Sequence, residues 1–193
     1  MQTPIILASS SPYRKALLER LNLPFECRSP EIDESQLTGE SAEAYVCRLA
    51  QQKAQAISNQ HPEAVVIGSD QCALLGDQIL GKPGDPERAL QQLKAAQGKS
   101  VIFHTGLCVM QASSKYCETD DILFEVRFRQ LGDQQLKHYL QVEQPYQCAG
   151  SFKSEGYGAA LFDQMRGDDP TALIGLPLIR LVSMLENTGI KVI

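Results

Sequence analysis

Two long apolar runs, "SVIFHTGLCVMQ" (100–111) and "ILFEVRFRQL" (122–131), follow one another with only a short polar stretch between them. The second alternates, with Phe124, Val126 and Phe128 on one face and Glu125, Arg127 and Arg129 on the other, the period of a half-buried strand. Strands joined this closely pair antiparallel, because a parallel partner needs a longer crossover. Elsewhere strand and helix patterns interleave. The chain is therefore predicted to be α/β with a mixed sheet flanked by helices, not a strictly doubly wound parallel sheet.

The remaining elements follow from caps and periodicity. "PIILA" reads as a short buried strand. "SPYRKALLERLN" follows as a helix, with Ser11 as N-cap, Pro12 at its first position and Leu17, Leu18 and Leu21 as its apolar stripe. "PFECRSP" is a second short strand and "EIDESQLTGE" an acidic loop. "SAEAYVCRLAQQKAQAIS" is a helix capped by Ser41. "AVVIGSD" is a β-branched strand ending at Asp70, and "CALLGDQIL" a hairpin about Gly76-Asp77. "GKPGDPERALQQLKAAQG" is a loop and then a helix capped by Asp85. "GDQQLKHYLQ" is a short helix, and "CAGSFKSEGYGAALF" a glycine-punctuated loop leading to a strand. "LPLIRLVSMLENTG" is a closing amphipathic helix ended by Gly189.

A length of 193 residues suits one domain, 1–193, with room for two lobes. A net charge of −5 argues against a broad basic surface for nucleic acid, though not against a local basic pocket. No stretch approaches the roughly 20 apolar residues that cross a membrane. The six cysteines form no CxxC pair and the three histidines are scattered, which speaks against a zinc site. The opening "MQTPIILASSS" lacks the basic start and long apolar core of a signal peptide, so a reducing cytoplasm is the expected setting. Neither GxGxxG nor GxxxxGK[ST] occurs.

Lys53 shares the inward face of its helix with Val46, Leu49 and Ala50. Either its stem snorkels past the edge of the core, or its ammonium is aimed into a polar cleft. Asp70 ends a buried strand, where ligand sites gather in α/β sheets; its other reading is a cap on the following turn. Lys82 in "GKPG", and Glu31, Asp33 and Glu34 in the acidic loop, read singly as solvated charges. In "LASSSPYRKALL", helix capping accounts for Ser11 and Pro12 but leaves Ser9 spare and does not need Arg14. Together these residues say more. A helix N-terminus and a guanidinium bind phosphate, lysines neutralise further phosphate charge, and carboxylates hold a hard divalent ion and activate a water. That set of groups suits cleavage of a phosphoanhydride.

The series "ILASSSPYRKALL", "IDES", "RLAQQKA", "VVIGSDQ", "GKPGDPERA", "HTGL" and "AGSFKSEGYGA…IGLPL" resembles, in order and over essentially the whole chain, the motifs of the Maf family of nucleotide pyrophosphatases. The resemblance implies a Maf/ITPase-like fold with an elongated mixed sheet and two lobes about a cleft. It implies hydrolysis of a nucleoside triphosphate between the α and β phosphates with a divalent cation (Mg²⁺, Mn²⁺ or Co²⁺), and a homodimer. Matched residue by residue, Asp70 corresponds to the proton acceptor, with Lys53 and Lys82 as catalytic partners. Ser9, Ser11 and Arg14 correspond to the phosphate-binding helix entrance, and Glu34 with Asp70 to the metal ligands.

Three departures narrow the substrate. Where many members read "SSSPRR", "GADT" and "QGYG", this chain carries Tyr13, Gln71 and Glu155. This trio resembles the subfamily that cleaves 7-methyl-GTP, whereas the commoner pattern goes with dTTP and UTP. A guanine edge presents two adjacent donors, which one carboxylate accepts together. Methylation at position 7 makes the base cationic, favouring the charge of Glu155 and stacking on the Tyr13 ring. The alternatives are a pyrophosphatase for dTTP, UTP or another non-standard nucleotide, and a nucleotide-binding regulator of cell division.

Overall fold

The computed structural model describes residues 3–193. Strand β1 (Ile5–Leu7) leads into helix α1 (Pro12–Glu19), and Ser11 caps that helix by accepting from the Arg14 N–H. β2 (Glu26–Cys27) lies parallel beside β1. Helix α2 (Ala42–Ser58), capped by Ser41, leads into β3 (Val65–Leu75), which pairs parallel with β1 on its other side. β4 (Gln78–Leu80) folds back antiparallel on β3 through Gly76, whose φ of 59° suits glycine. α3 (Pro86–Ala96), β5 (Ser100–Gln111), β6 (Tyr116–Phe128), α4 (Asp133–Glu143), β7 (Phe162–Arg166), α5 (Pro170–Ile174) and α6 (Leu178–Asn187) complete the order. The strands run β2-β1-β3-β5-β6-β7, with β4 on β3, in one seven-stranded sheet. β1 is paired in parallel, whereas β4 and β7 are antiparallel to their partners, so the mixed α/β architecture is observed.

Four elements differ from the sequence reading. β6 starts at Tyr116, well before the alternating run, because the charges of "YCETDD" are answered across the fold. Arg180 of α6 donates to Glu118 at 2.6 Å and to Asp120 at 2.7 Å. β3 does not end at Asp70 but runs without a break into the first arm of the expected hairpin, to Leu75, where pairing with β4 extends it. The glycine-rich stretch passes through two short 3₁₀ turns before its strand begins at Phe162. Finally, α5 is too short for periodicity to reveal; Asp169 caps it and Pro170 opens it.

The chain forms two compact units. The first comprises the chain up to Asp70 with Thr105–Ile122 and Asp169–Ile193; the second comprises Gln71–His104 and Leu123–Asp168. In the first, strand alternation sorts side chains onto two faces. Leu7, Ile67 and Leu107 pack with Leu17, Leu18 and Leu181 of α1 and α6, while Ile6, Val66 and Cys108 pack with Ala50, Ala54 and Ile57 of α2. Gly68 and Gly106 lie on the α2 side. A Cβ on Gly68 would stand 2.1 Å from the Ala50 carbonyl oxygen, and one on Gly106 2.2 Å from that of Val46. Helix backbone thus rests directly on strand backbone. In the second unit Phe103, Phe128, Phe152 and Phe162 interlock edge to face, with centroids 4.7 to 5.6 Å apart.

Candidate active site

Even-numbered residues of β3 face α2, so Asp70 points the same way as Val66 and Gly68. The close approach at Gly68 brings the inward face of α2 down to meet it. Lys53 Nζ donates to Asp70 Oδ1 at 2.6 Å and lies 2.7 Å from Glu34 Oε1. The lysine and aspartate side chains are 7% and 11% exposed, whereas that of Glu34 is 53% exposed. Of the two accounts of Lys53, the inward ammonium is the one observed. A buried lysine and a buried aspartate satisfy each other, and the solvent-facing glutamate joins them from the loop.

That loop is held from α2. The Tyr45 hydroxyl donates to the Glu34 carbonyl at 2.9 Å. Arg48 grips Glu40 with two bonds, of 2.6 and 2.7 Å, and donates to the Ser35 carbonyl at 3.0 Å. The Arg48 contact holds the Glu40 carboxyl far below its usual range, at about 2.

At the entrance of α1, Ser9 Oγ accepts from the Ser11 N–H at 3.1 Å, and Ser11 Oγ accepts from the Arg14 N–H at 3.4 Å. Ser9 is therefore not spare: its buried oxygen organises the turn into the helix. Arg14 is half-buried, and its Nε donates to the Gly175 carbonyl at 2.8 Å. Burial lowers its pKa while the charges of Asp70 and Glu34 oppose that shift, and the guanidinium remains a cation. Tyr13 stands 37% exposed on the first turn.

Three residues of this frame escaped the sequence reading. Ser69 Oγ donates to the same Gly175 carbonyl at 2.9 Å, so one oxygen aligns the strand beside Asp70 with the arginine of α1. Gly175 reaches that position with φ 118°, a conformation reserved for glycine. Asp169, 3% exposed, accepts from the Thr171 and Ile179 N–H groups, each at 2.8 Å, and fixes the corner between α5 and α6. The signal was present: Asp169-Pro170 repeats the cap-then-proline opening of α1 and α3.

Gln71, Lys82 and Glu155 belong to the second unit. Gln71 follows Asp70 on β3, half-buried and turned to the opposite face. Lys82 is exposed between β4 and α3, in a loop tied by Gln92 to the Gly81 carbonyl at 3.1 Å and by the Gly84 N–H to the Tyr146 carbonyl at 2.9 Å. Glu155 is exposed at a turn, where Ser154 Oγ donates to its Oε2 at 3.2 Å.

No cluster of three or more His, Cys, Asp or Glu side chains able to hold a metal occurs among the described residues. Two carboxylates meeting at one ammonium do suit a hard ion that takes one or two protein carboxylates and completes its shell with substrate phosphates and water. They do not suit a closed protein cage.

The family described as Maf-like protein matches residues 4–188. A 7-methyl-GTP pyrophosphatase of Nitrosococcus oceani is 57% identical over 189 residues, covering 98% of this chain and 95% of that one. A protein of the same name from Pseudomonas aeruginosa is 53% identical over 188 residues, covering 97% and 98%. Among solved structures, the Staphylococcus aureus Ham1 protein is similar over 65% of this chain and 71% of that one, with 14% identity and a TM-score of 0.45.

Proposed function

The chain belongs to the Maf family, and on that premise we propose that it hydrolyses 7-methyl-GTP to 7-methyl-GMP and pyrophosphate, with residues 1–193 acting as one catalytic domain. The observation that carries the reading is the buried Asp70 carboxylate, held on Lys53 together with Glu34. A carboxylate fixed by one oxygen to a lysine presents its other oxygen in a set direction, which is what a general base needs.

In this reading the triphosphate lies at the entrance of α1. Ser9, Ser11 and Arg14 hold phosphate oxygens, and Lys53 and Lys82 balance the charge that grows on the departing pyrophosphate. Asp70 takes a proton from water as the water attacks the α phosphorus, in line with the bond breaking to the β phosphate. Glu34 and Asp70 would hold a divalent cation (Mg²⁺, Mn²⁺ or Co²⁺), which polarises phosphate and acidifies water when bound. Glu155 accepts from the two donors of the guanine edge, Tyr13 stacks on the cationic base, and Gln71 completes the selection. The family resemblance and the thiol content support a cytoplasmic homodimer, which light scattering of the purified protein tests in part.

The deciding experiment is pyrophosphate release from 7-methyl-GTP, GTP, UTP and dTTP with each of the three cations. The 7-methylated nucleotide is expected to give the highest kcat/KM. A higher value for UTP or dTTP would move the protein to the pyrimidine class, and no release from any would leave a nucleotide-binding regulator. Asp70→Asn is expected to bind nucleotide and to lose turnover by about 10²-fold or more. Near-native turnover in that variant sinks the assignment of the base.

A further inference from the structure

Glu155 stands on a turn whose two ends are held by a single side chain. In Lys153-Ser154-Glu155-Gly156 the Gly156 N–H donates back to the Lys153 carbonyl at 3.4 Å. Glu143, the last residue of α4, reaches both ends of this turn. Its Oε2 accepts from the Tyr157 N–H at 2.8 Å, and its Oε1 lies 3.2 Å from Lys153 Nζ. The lysine also donates to the Glu143 carbonyl at 2.9 Å, closing the clamp on the helix end. One helical turn earlier, the buried Tyr139 hydroxyl oxygen accepts from the Lys153 N–H at 3.2 Å.

The glycines of "EGYG" make room for these contacts. A Cβ on Gly156 would stand 2.7 Å from Glu143 Oε2, and one on Gly158 2.2 Å from the Lys153 carbonyl oxygen. The Glu143 and Lys153 side chains are only 15% and 23% exposed, so the pair is largely shielded from competing water. Four polar contacts therefore converge on a segment whose tip, Glu155, is exposed.

We propose that Glu143 is a positioning residue for base selection: it clamps the 153–157 turn to α4 so that the Glu155 carboxylate is offered in one orientation. The proposal rests on the reading of Glu155 as the group that accepts the guanine edge. Two parallel hydrogen bonds to one carboxylate demand placement within about 0.5 Å, which an unclamped surface turn does not supply. Glu143 acts on the base-reading turn and not on the phosphates, so its loss falls on KM and on selectivity.

The test uses the full-length protein as wild type, Glu143→Ala, Glu143→Gln, Glu155→Gln and the Glu143→Ala/Glu155→Gln pair, with kcat and KM measured for 7-methyl-GTP and UTP. Glu143→Ala is expected to raise KM for 7-methyl-GTP about tenfold at nearly constant kcat, while KM for UTP moves less than about twofold. Glu143→Gln keeps an acceptor for the Tyr157 N–H and should recover much of the loss. In the Glu155→Gln background the alanine change should no longer alter the preference. Equal losses on both substrates, or a full further loss in the double variant, would overturn the proposal. Failure of the underlying reading looks different: Glu155→Gln itself leaves the preference unchanged. Amide hydrogen exchange then decides the clamp. Exchange at residues 154–157 accelerated by about tenfold in Glu143→Ala, with α4 unaffected, supports it; unchanged exchange rejects it.

Discussion

At Lys53 one ammonium answers two carboxylates, of which only Asp70 is buried. Removing the ammonium strands Asp70 in the interior, while Glu34 can turn to water. Breaking a buried pair from one side costs about 3–5 kcal/mol, and we expect Lys53→Met to lose about 3 kcal/mol in urea unfolding. Adding Asp70→Asn removes the stranded charge, so the double variant should be more stable than Lys53→Met alone; a double variant that loses the sum of both singles would contradict the pairing. Glu40 gives a pH prediction. Its carboxyl sits at about 2 in the fold against an ordinary 4.5, because Arg48 grips it. The folded pKa is the lower one, so its contribution to stability is complete above about pH 4.5 and is lost as the pH falls towards about 2. The Tm difference between wild type and Glu40→Gln should shrink across that window, and a difference that stays constant would contradict the grip.

At the scale of elements, α2 and β3 show what local pattern can and cannot tell. The start of α2 was legible because a serine cap and a helical stripe are local chemistry, and the inward direction of Lys53 followed from the same stripe. The hairpin after Asp70 was legible from Gly76-Asp77, but not that its first arm joins β3 without a break at Asp70, whose carboxylate meets a partner 17 residues away on another element. The early start of β6 was hidden for the same reason: its acidic residues look solvated until Arg180, 60 or more residues later, is placed beside them. The glycines in "VIGSD" and "HTGL" could be quoted as motif letters, yet their role lies in the third dimension. Gly68→Ala is expected to cost about 3 kcal/mol by driving a methyl group into the backbone of α2. It should also part Lys53 from Asp70 and lower turnover, and a variant with native stability would show that the helix yields.

At the scale of the whole molecule, the first unit is assembled from three separated stretches of chain. Its core is begun by β1 and α1 and finished by α6, whose Leu181 is fully buried. Leu181→Ala should cost about 2–5 kcal/mol in urea unfolding, the range for a leucine truncated in a packed core; a loss below about 1 kcal/mol would mean that α6 is dispensable to it. The same long-range assembly explains which parts of the site could be read in advance. Asp70, Lys53 and Glu34 announced themselves as charges on apolar or motif-bearing segments. The alignment of Arg14 by Gly175 spans 161 positions and that of Ser69 spans 106, distances over which no periodicity operates.

The backbone contact of α2 with Gly68 and Gly106 has a consequence for how this protein can change. Peptide units have the same dimensions in every sequence, whereas side-chain volumes change with every core substitution. A gap set by main chain against main chain is indifferent to those changes. Leucines elsewhere in the interior can become valines or methionines and settle into new rotamers, while the span that the lysine must bridge to reach its aspartate stays as it was. The two glycines serve as a ruler, and the spacing they preserve is inherited from the polypeptide itself.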